Sequence, residues 1–363
     1  MKTFCSVSTI VLLSGLAVST FGQGAPKAIE GYSVSVFTKG VAGKYSAPDS
    51  IAVLGDHIYI GYGDGNDPAG LDGKSNQIIE YDKWGNPLHI YTVVGHNDGL
   101  KVDPYTNQLW AMQNEDANPN LVIIDPVTHT QKLYTFAQAP AHGGGYDDIT
   151  FRNGKAYFSA SNPASNPNLA PAIVEAKIVG DMIDVTPALE ADATASDVIT
   201  GASVTLNLQD PDSMILTPGN DILLDSQADS ELILLHAPGT KFQSVSRIPL
   251  SSPFGTPQAD DTIFALSDDG YILVADTPAN IVYKVRKKAF VPGTAFTAAD
   301  GPADSSGAFI GFVGVLDMNF GDLRPVATGF QDPHGMAFVK THSDDDDGNG
   351  NGCQTKQSDS SQN

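Results

Sequence analysis

Asp98-Gly-Leu-Lys-Val-Asp-Pro-Tyr-Thr-Asn-Gln-Leu-Trp-Ala111 reads as two short strands folded back on each other. Leu100 to Val102 and Leu109 to Ala111 are strand-like, and Asp103-Pro-Tyr-Thr-Asn107 between them is turn chemistry: Pro presets one dihedral, and Asn tolerates the left-handed region. Leu121-Val-Ile-Ile124 and Lys132-Leu-Tyr-Thr135 follow at similar spacing, which completes a four-strand meander. The opening of this meander recurs along the chain as an acidic residue or histidine two places ahead of an apolar one: Asp49-Ser-Ile51, Asp98-Gly-Leu100, Asp147-Asp-Ile149, Asp212-Ser-Met214, Asp261-Thr-Ile263 and His334-Gly-Met336. Asp49, Asp98 and Asp147 succeed one another at 49-residue intervals, as do Asp212 and Asp261. A period of about 40–50 residues is that of a propeller blade. The expected fold is therefore all-β: a propeller of six blades, each of four antiparallel strands, with the strand around Val34 to Phe37 joining the last blade to close the ring.

The later units read less evenly. The third carries extra residues between about Pro187 and Asn207. The fifth takes Ile263-Phe-Ala-Leu266, Tyr271-Ile-Leu-Val274 and Ile281-Val-Tyr-Lys-Val285. The sixth gathers Phe312 to Leu316, Leu323 to Val326 and Gly335 to Phe338. Residues 1–22 fit a secretory leader, with Lys2, an apolar run from Val7 to Val18 and the small-residue end Ser19-Thr-Phe-Gly22. Residues 23–31 are expected as a linker, 32–340 as the propeller, and 341–363 as a disordered acidic and polar tail. The leader predicts a secreted chain, periplasmic or extracellular. It takes Cys5 with it and leaves Cys353 alone in the tail, so the core is expected to hold without an internal disulfide.

The 363 residues carry a formal charge of −22. Binding to nucleic acid depends on Lys and Arg neutralising phosphate, so this balance excludes that class, and no segment is apolar enough to span a membrane. A cation or a small neutral molecule is the expected partner of a monomeric chain.

If the six opening strands are the innermost of their blades, their polar residues converge on one mouth of a central channel. Asp49, Asp98, Asp147, Asp212 and Asp261 are the candidate metal ligands, since oxygen donors in such number suit a divalent cation, Ca2+ first. The alternative reading is that each Asp accepts amide bonds from its own turn. The loops sharing that face add His96, Glu115, Asn162, Asp225 and Asp276. His142 and His334 are the candidate bases, because imidazole titrates near neutrality.

The segments Asp98 to Ala111, Pro211-Asp-Ser-Met-Ile-Leu-Thr-Pro-Gly-Asn-Asp-Ile-Leu-Leu224 and Pro333-His-Gly-Met-Ala-Phe338 resemble the repeats of NHL-type propellers and of the SMP-30/gluconolactonase superfamily. The resemblance spans about residues 32–340. It implies one divalent cation at the channel mouth, held in that family by Glu, Asn and Asp, which polarises a lactone carbonyl and activates water. This chain departs from the pattern: Asp49 stands at best where the family has Glu, and Asp98, Asp212 and His334 stand where it often has Asn. The resemblance thus implies a metal-dependent lactone or ester hydrolase, with a non-catalytic extracellular binding propeller as the alternative. Propellers of lyase type that use a catalytic histidine are a further possibility.

Overall fold

The computed structural model describes residues 25–302 and 310–341; the leader and the tail lie outside them. Among the described residues there is strand and turn but no helix. After β1 (Lys27–Ala28) and β2 (Tyr32–Lys39) comes a first meander of β3 (Pro48–Leu54), β4 (His57–Tyr62), β5 (Ser75–Tyr81) and β6 (Pro87–Val94). A second follows with β7 (Asn97–Val102), β8 (Leu109–Gln113), β9 (Asn120–Ile124) and β10 (Gln131–Phe136), and a third with β11 (Ile149–Arg152), β12 (Lys155–Ser159), β13 (Pro171–Val179) and β14 (Met182–Glu190). A short parallel contact between β10 and β14 joins these two into one sheet. The extra residues expected near Pro187 to Asn207 form the small hairpin β15 (Thr194–Asp197) and β16 (Ser203–Thr205). It adds to the outer edge of a fourth meander, β17 (Pro211–Leu216), β18 (Ile222–Ser226), β19 (Glu231–His236) and β20 (Ser244–Pro249).

The remaining strands are interlocked. β21 (Gln258–Phe264) pairs not with β22 (Gly270–Asp276) or β23 (Ile281–Lys287) but with β24 (Ala295–Gly301), followed outward by β25 (Ile310–Asp317), β26 (Asp322–Phe330) and β1. The hairpin β22–β23 is lent to the adjacent sheet, whose inner strand is β27 (Pro333–Lys340) and whose outer strand is β2. The grouping of Ile263, Tyr271 and Ile281 in one unit is therefore corrected: their strands belong to two sheets, and β24 is a strand that the sequence pattern does not announce. The N-terminal strand does close the last sheet, and the stretch 23–31, expected as a linker, supplies β1.

The inner strands touch in a cycle, β3 with β7, β7 with β11, β11 with β17, β17 with β21, β21 with β27, and β27 with β3 again. The fold is a β-propeller. Two of the recurrent glycines explain how close this approach is. A Cβ on Gly99 would meet the Asp147 carbonyl oxygen at 2.1 Å, and one on Gly335 would meet that of Asp49 at 2.6 Å. The core lies between successive sheets rather than within any one. Tyr59, Ile78 and Tyr91 pack on Leu100, Leu109 and Ile124, and Ile58, Ile60 and Ile79 pack on Leu273, Val282 and Val339. Strands covered on both faces lose polar alternation, which is why Ile222-Leu-Leu224 is uniformly buried. Each such side chain contributes about 1.5–3 kcal/mol on burial.

Candidate functional site

Every inner strand but β11 starts with a bulge. Pro48 faces Tyr62 and Ile51 faces Ile60, so Asp49 and Ser50 lie opposite a single residue. The same offset occurs between Asn97 and Leu100, Pro211 and Met214, and Pro333 and Met336. In β21 it falls between Ala259 and Asp261. An extra residue bends its strand and re-aims the side chain. The bulge sends Asp49, Asp98, Asp212, Asp260 and His334 to equivalent places, and Asp147 stands likewise just ahead of β11. Asp260 rather than Asp261 thus takes the fifth position, because Thr262 occupies the place held elsewhere by an apolar residue.

These side chains line a cavity of about 480 Å3, together with His96, Lys101, Glu115, Asp116, Asn162, Asp210 and Asp332. Carboxylate oxygens of Asp98, Asp147 and Asp212 lie within 4.8 Å of one another. All three carboxyls are held well above the usual range. Burial is the main cause, and neighbouring charge adds to it: Asp49 and Glu115 act on Asp98, Asp212 and Asp98 on Asp147, and Asp260 and Asp98 on Asp212. Three carboxylates so placed must share protons or a cation. Their hard oxygen donors fit a divalent ion of the calcium or magnesium type, with further positions left for water or ligand.

The opposite side of the mouth is an ionic cluster around His334. Its Nδ1 lies 3.2 Å from Asp260 Oδ2 and 3.5 Å from Asp49 Oδ1, and its Nε2 lies 3.2 Å from Asp332 Oδ2. Burial lowers the imidazole pKa, but Asp260 and Asp49 outweigh it and hold the ring protonated, well above its ordinary value. Burial alone would raise Asp49, yet the His334 cation keeps that carboxyl below the usual range. Asp260 is pushed up to about 8, by burial first and then by Asp49 and Asp261, against the pull of His334. Gln227 Nε2 donates to its Oδ2 at 2.9 Å.

The other sequence candidates are placed as follows. His96 lines the mouth with Nδ1 3.0 Å from Glu115 Oε2, but its Nε2 faces Gly63, where a Cβ would meet it at 2.4 Å. Asn162 Nδ2 donates to Asp116 Oδ1 at the rim. Asp261 lies one step deeper and accepts the Met336 amide at 2.6 Å. Asp276 accepts the amides of Gln331 and Asp332, as the turn-capping reading expects. Asp225 is buried behind the inner strands and lines no part of the mouth. His142 lies away from it in a separate cavity of about 180 Å3, with Nε2 2.6 Å from the Gly145 carbonyl oxygen; burial lowers its pKa. Of the two candidate bases, His334 thus lines the mouth with both ring nitrogens facing carboxylates, and His142 lines a different cavity. Sequence reasoning missed Lys101 and Asp300, the latter lining a smaller cavity with Asp260, Asp332 and His334. Lys101 had one signal, as a cation set between the apolar residues Leu100 and Val102 of an inner strand.

No family model matches the chain, and no curated protein matches it. Among solved structures, it is similar to a protein of unknown function from Bacteroides caccae (9% identity, covering 80% of this chain and 86% of that one, TM-score 0.47). It is also similar to a putative gluconolactonase (8% identity, 84% and 83%, TM-score 0.45) and to a catalytically inactive variant of virginiamycin B lyase from Staphylococcus aureus with quinupristin (14% identity, 85% and 96%, TM-score 0.43). Likenesses this loose assign no activity.

Proposed function

We propose that the chain is an exported, six-bladed propeller that binds one divalent cation, Ca2+ first, at Asp98, Asp147 and Asp212 and hydrolyses a small lactone or ester at that mouth. The observation that carries this reading is the convergence of three carboxylates, Asp147 buried and Asp98 and Asp212 half-buried, from the starts of three successive inner strands on one cavity. A bound cation supplies Lewis-acid polarisation of a carbonyl oxygen and lowers the pKa of water. The chain's own residues supply the rest. The carboxylates fix the ion's place, Asp260 with its pKa near 8 exchanges a proton near neutrality, and protonated His334 offsets negative charge developing nearby.

A second reading, a non-catalytic module that binds a cation or a small molecule, is favoured by one observation. Both mouth histidines have ring nitrogens committed to carboxylates, which leaves Asp260 as the main proton acceptor. Metal analysis of purified protein, followed by a lactone and ester panel with and without chelator, separates the readings. Hydrolysis requires metal-dependent turnover that Asp212→Ala abolishes, whereas a binding module retains cation and turns over nothing. Export is checked by sequencing the mature N-terminus, expected near Gln23.

A further inference from the structure

Below the mouth the channel holds a second tier of charge. Asp148 and Asp261 stand one residue further along than the mouth carboxylates, and each ties its strand to a later inner strand, Asp148 Oδ2 accepting the Met214 amide at 2.8 Å and Asp261 Oδ2 that of Met336 at 2.6 Å. Lys101 Nζ reaches the same Asp148 Oδ2 at 2.9 Å. Lys101 lines both the acidic cavity and an apolar cavity of about 310 Å3 at the other end of the inner strands, bounded by side chains such as Val53, Phe151, Leu216 and Phe338. With Ile51, which also lines both, it stands between them.

This tier has more acceptors than the protein satisfies. Asp225, on β18, is 1% exposed, and neither of its carboxylate oxygens has a hydrogen-bond partner; Asp148 Oδ1, on a residue 2% exposed, has none either. The Thr262 hydroxyl lies on the Asp225 side and favours its charged form, and it also shares a hydrogen bond with Thr297 Oγ1 at 3.0 Å in which either hydroxyl can donate. Buried acceptors of this kind are costly unless something positive faces them. The Lys101 ammonium is the group that does: although burial opposes its charge, Asp148, Asp261 and Asp225 together hold its pKa above the usual lysine value.

We propose that the Lys101 ammonium is a tethered cation, holding beside the buried Asp148 carboxylate the place that a metal ion would otherwise take. Only the mouth then exchanges ions with solvent, a corollary that rests on the mouth reading given above; the tethered cation itself does not. Lysine replaced by methionine keeps the aliphatic stem and removes the charge. With calcium chloride as probe, titration calorimetry and elemental analysis of the full chain are expected to give one more equivalent of Ca2+ for Lys101→Met than for the unsubstituted protein. The double variant Lys101→Met/Asp148→Asn is expected to lose it. A folded Lys101→Met that binds no more Ca2+ than the parent overturns the proposal. A parent that binds none beside a variant that binds one refutes the mouth reading and supports the tethered cation.

Should Lys101→Met fold only when Ca2+ is present, with a melting rise absent from the double variant, the proposal is supported. Failure of both variants to fold with or without Ca2+ overturns it, because the double variant has its charge rebalanced and its packing kept.

Discussion

Asp147→Asn is expected to move stability in opposite directions with and without cation. Asp147 is the middle member of the carboxylate triad, with Asp212 and Asp98 both raising its pKa. At an effective dielectric constant of about 20, two full charges at the 4.8 Å limit repel by about 3.5 kcal/mol. Partial protonation relieves much of this, so the amide is expected to stabilise the cation-free protein by roughly 1–2 kcal/mol. With free Ca2+ at about 100 times its dissociation constant, the parent gains about 2.7 kcal/mol from binding. A large domain gains about 2–4 °C per kcal/mol, so its melting temperature should rise by roughly 5–10 °C. The variant, with a ligand removed, should gain little. Thermal melts in chelator and in millimolar Ca2+, followed by circular dichroism, give all four values. The reasoning fails if Ca2+ raises the variant as much as the parent, or if the variant in chelator melts no higher than the parent.

Further outcomes follow from the same geometry. Cation-free protein should lose stability as pH rises from about 4 to about 8, since Asp260 and Asp300, both near 8, and His334, held above its ordinary value, bind protons more tightly folded than unfolded; a denaturation midpoint that rises over this window would contradict it. Gly99→Ala and Gly335→Ala should each cost about 2–3 kcal/mol, because the new methyl meets backbone of the adjacent strand at 2.1 and 2.6 Å, and unchanged urea midpoints would show that the inner strands are looser than described. Removing residues before Gly40 strips β2 from β23 and bares a strand edge, so light scattering should detect association; a monodisperse truncated chain would refute the closure role of β2.

How far the sequence foretells the structure differs from one part of the ring to another. In the first, second and fourth meanders each strand pairs with its sequence neighbour, so turn residues and apolar runs suffice to place them. The interlock of β21 through β27 is invisible to that logic, because pairing partners are chosen by packing rather than by adjacency. β24, Ala295-Phe-Thr-Ala-Ala-Asp-Gly301, has little strand propensity beyond Phe296 and Thr297, and it forms because β21 and β25 flank it. The mouth was legible as a class of residue but not as a register. In Asp260-Asp261 either carboxylate fits a spacing rule, and only the position of the bulge decides between them. The charge of His334 was equally hidden, since it depends on Asp49, Asp260 and Asp332 arriving from three different segments.

The lent hairpin has an evolutionary consequence. Over the first four meanders, a duplication or deletion of one chain segment adds or removes one whole four-stranded meander. Between Gln258 and Lys340 no contiguous segment corresponds to a sheet, since β22 and β23 are encoded inside the stretch that builds their neighbour. Recombination within that region yields fragments of two sheets rather than a spare module, so changes in repeat number by unequal crossover are expected ahead of Gln258.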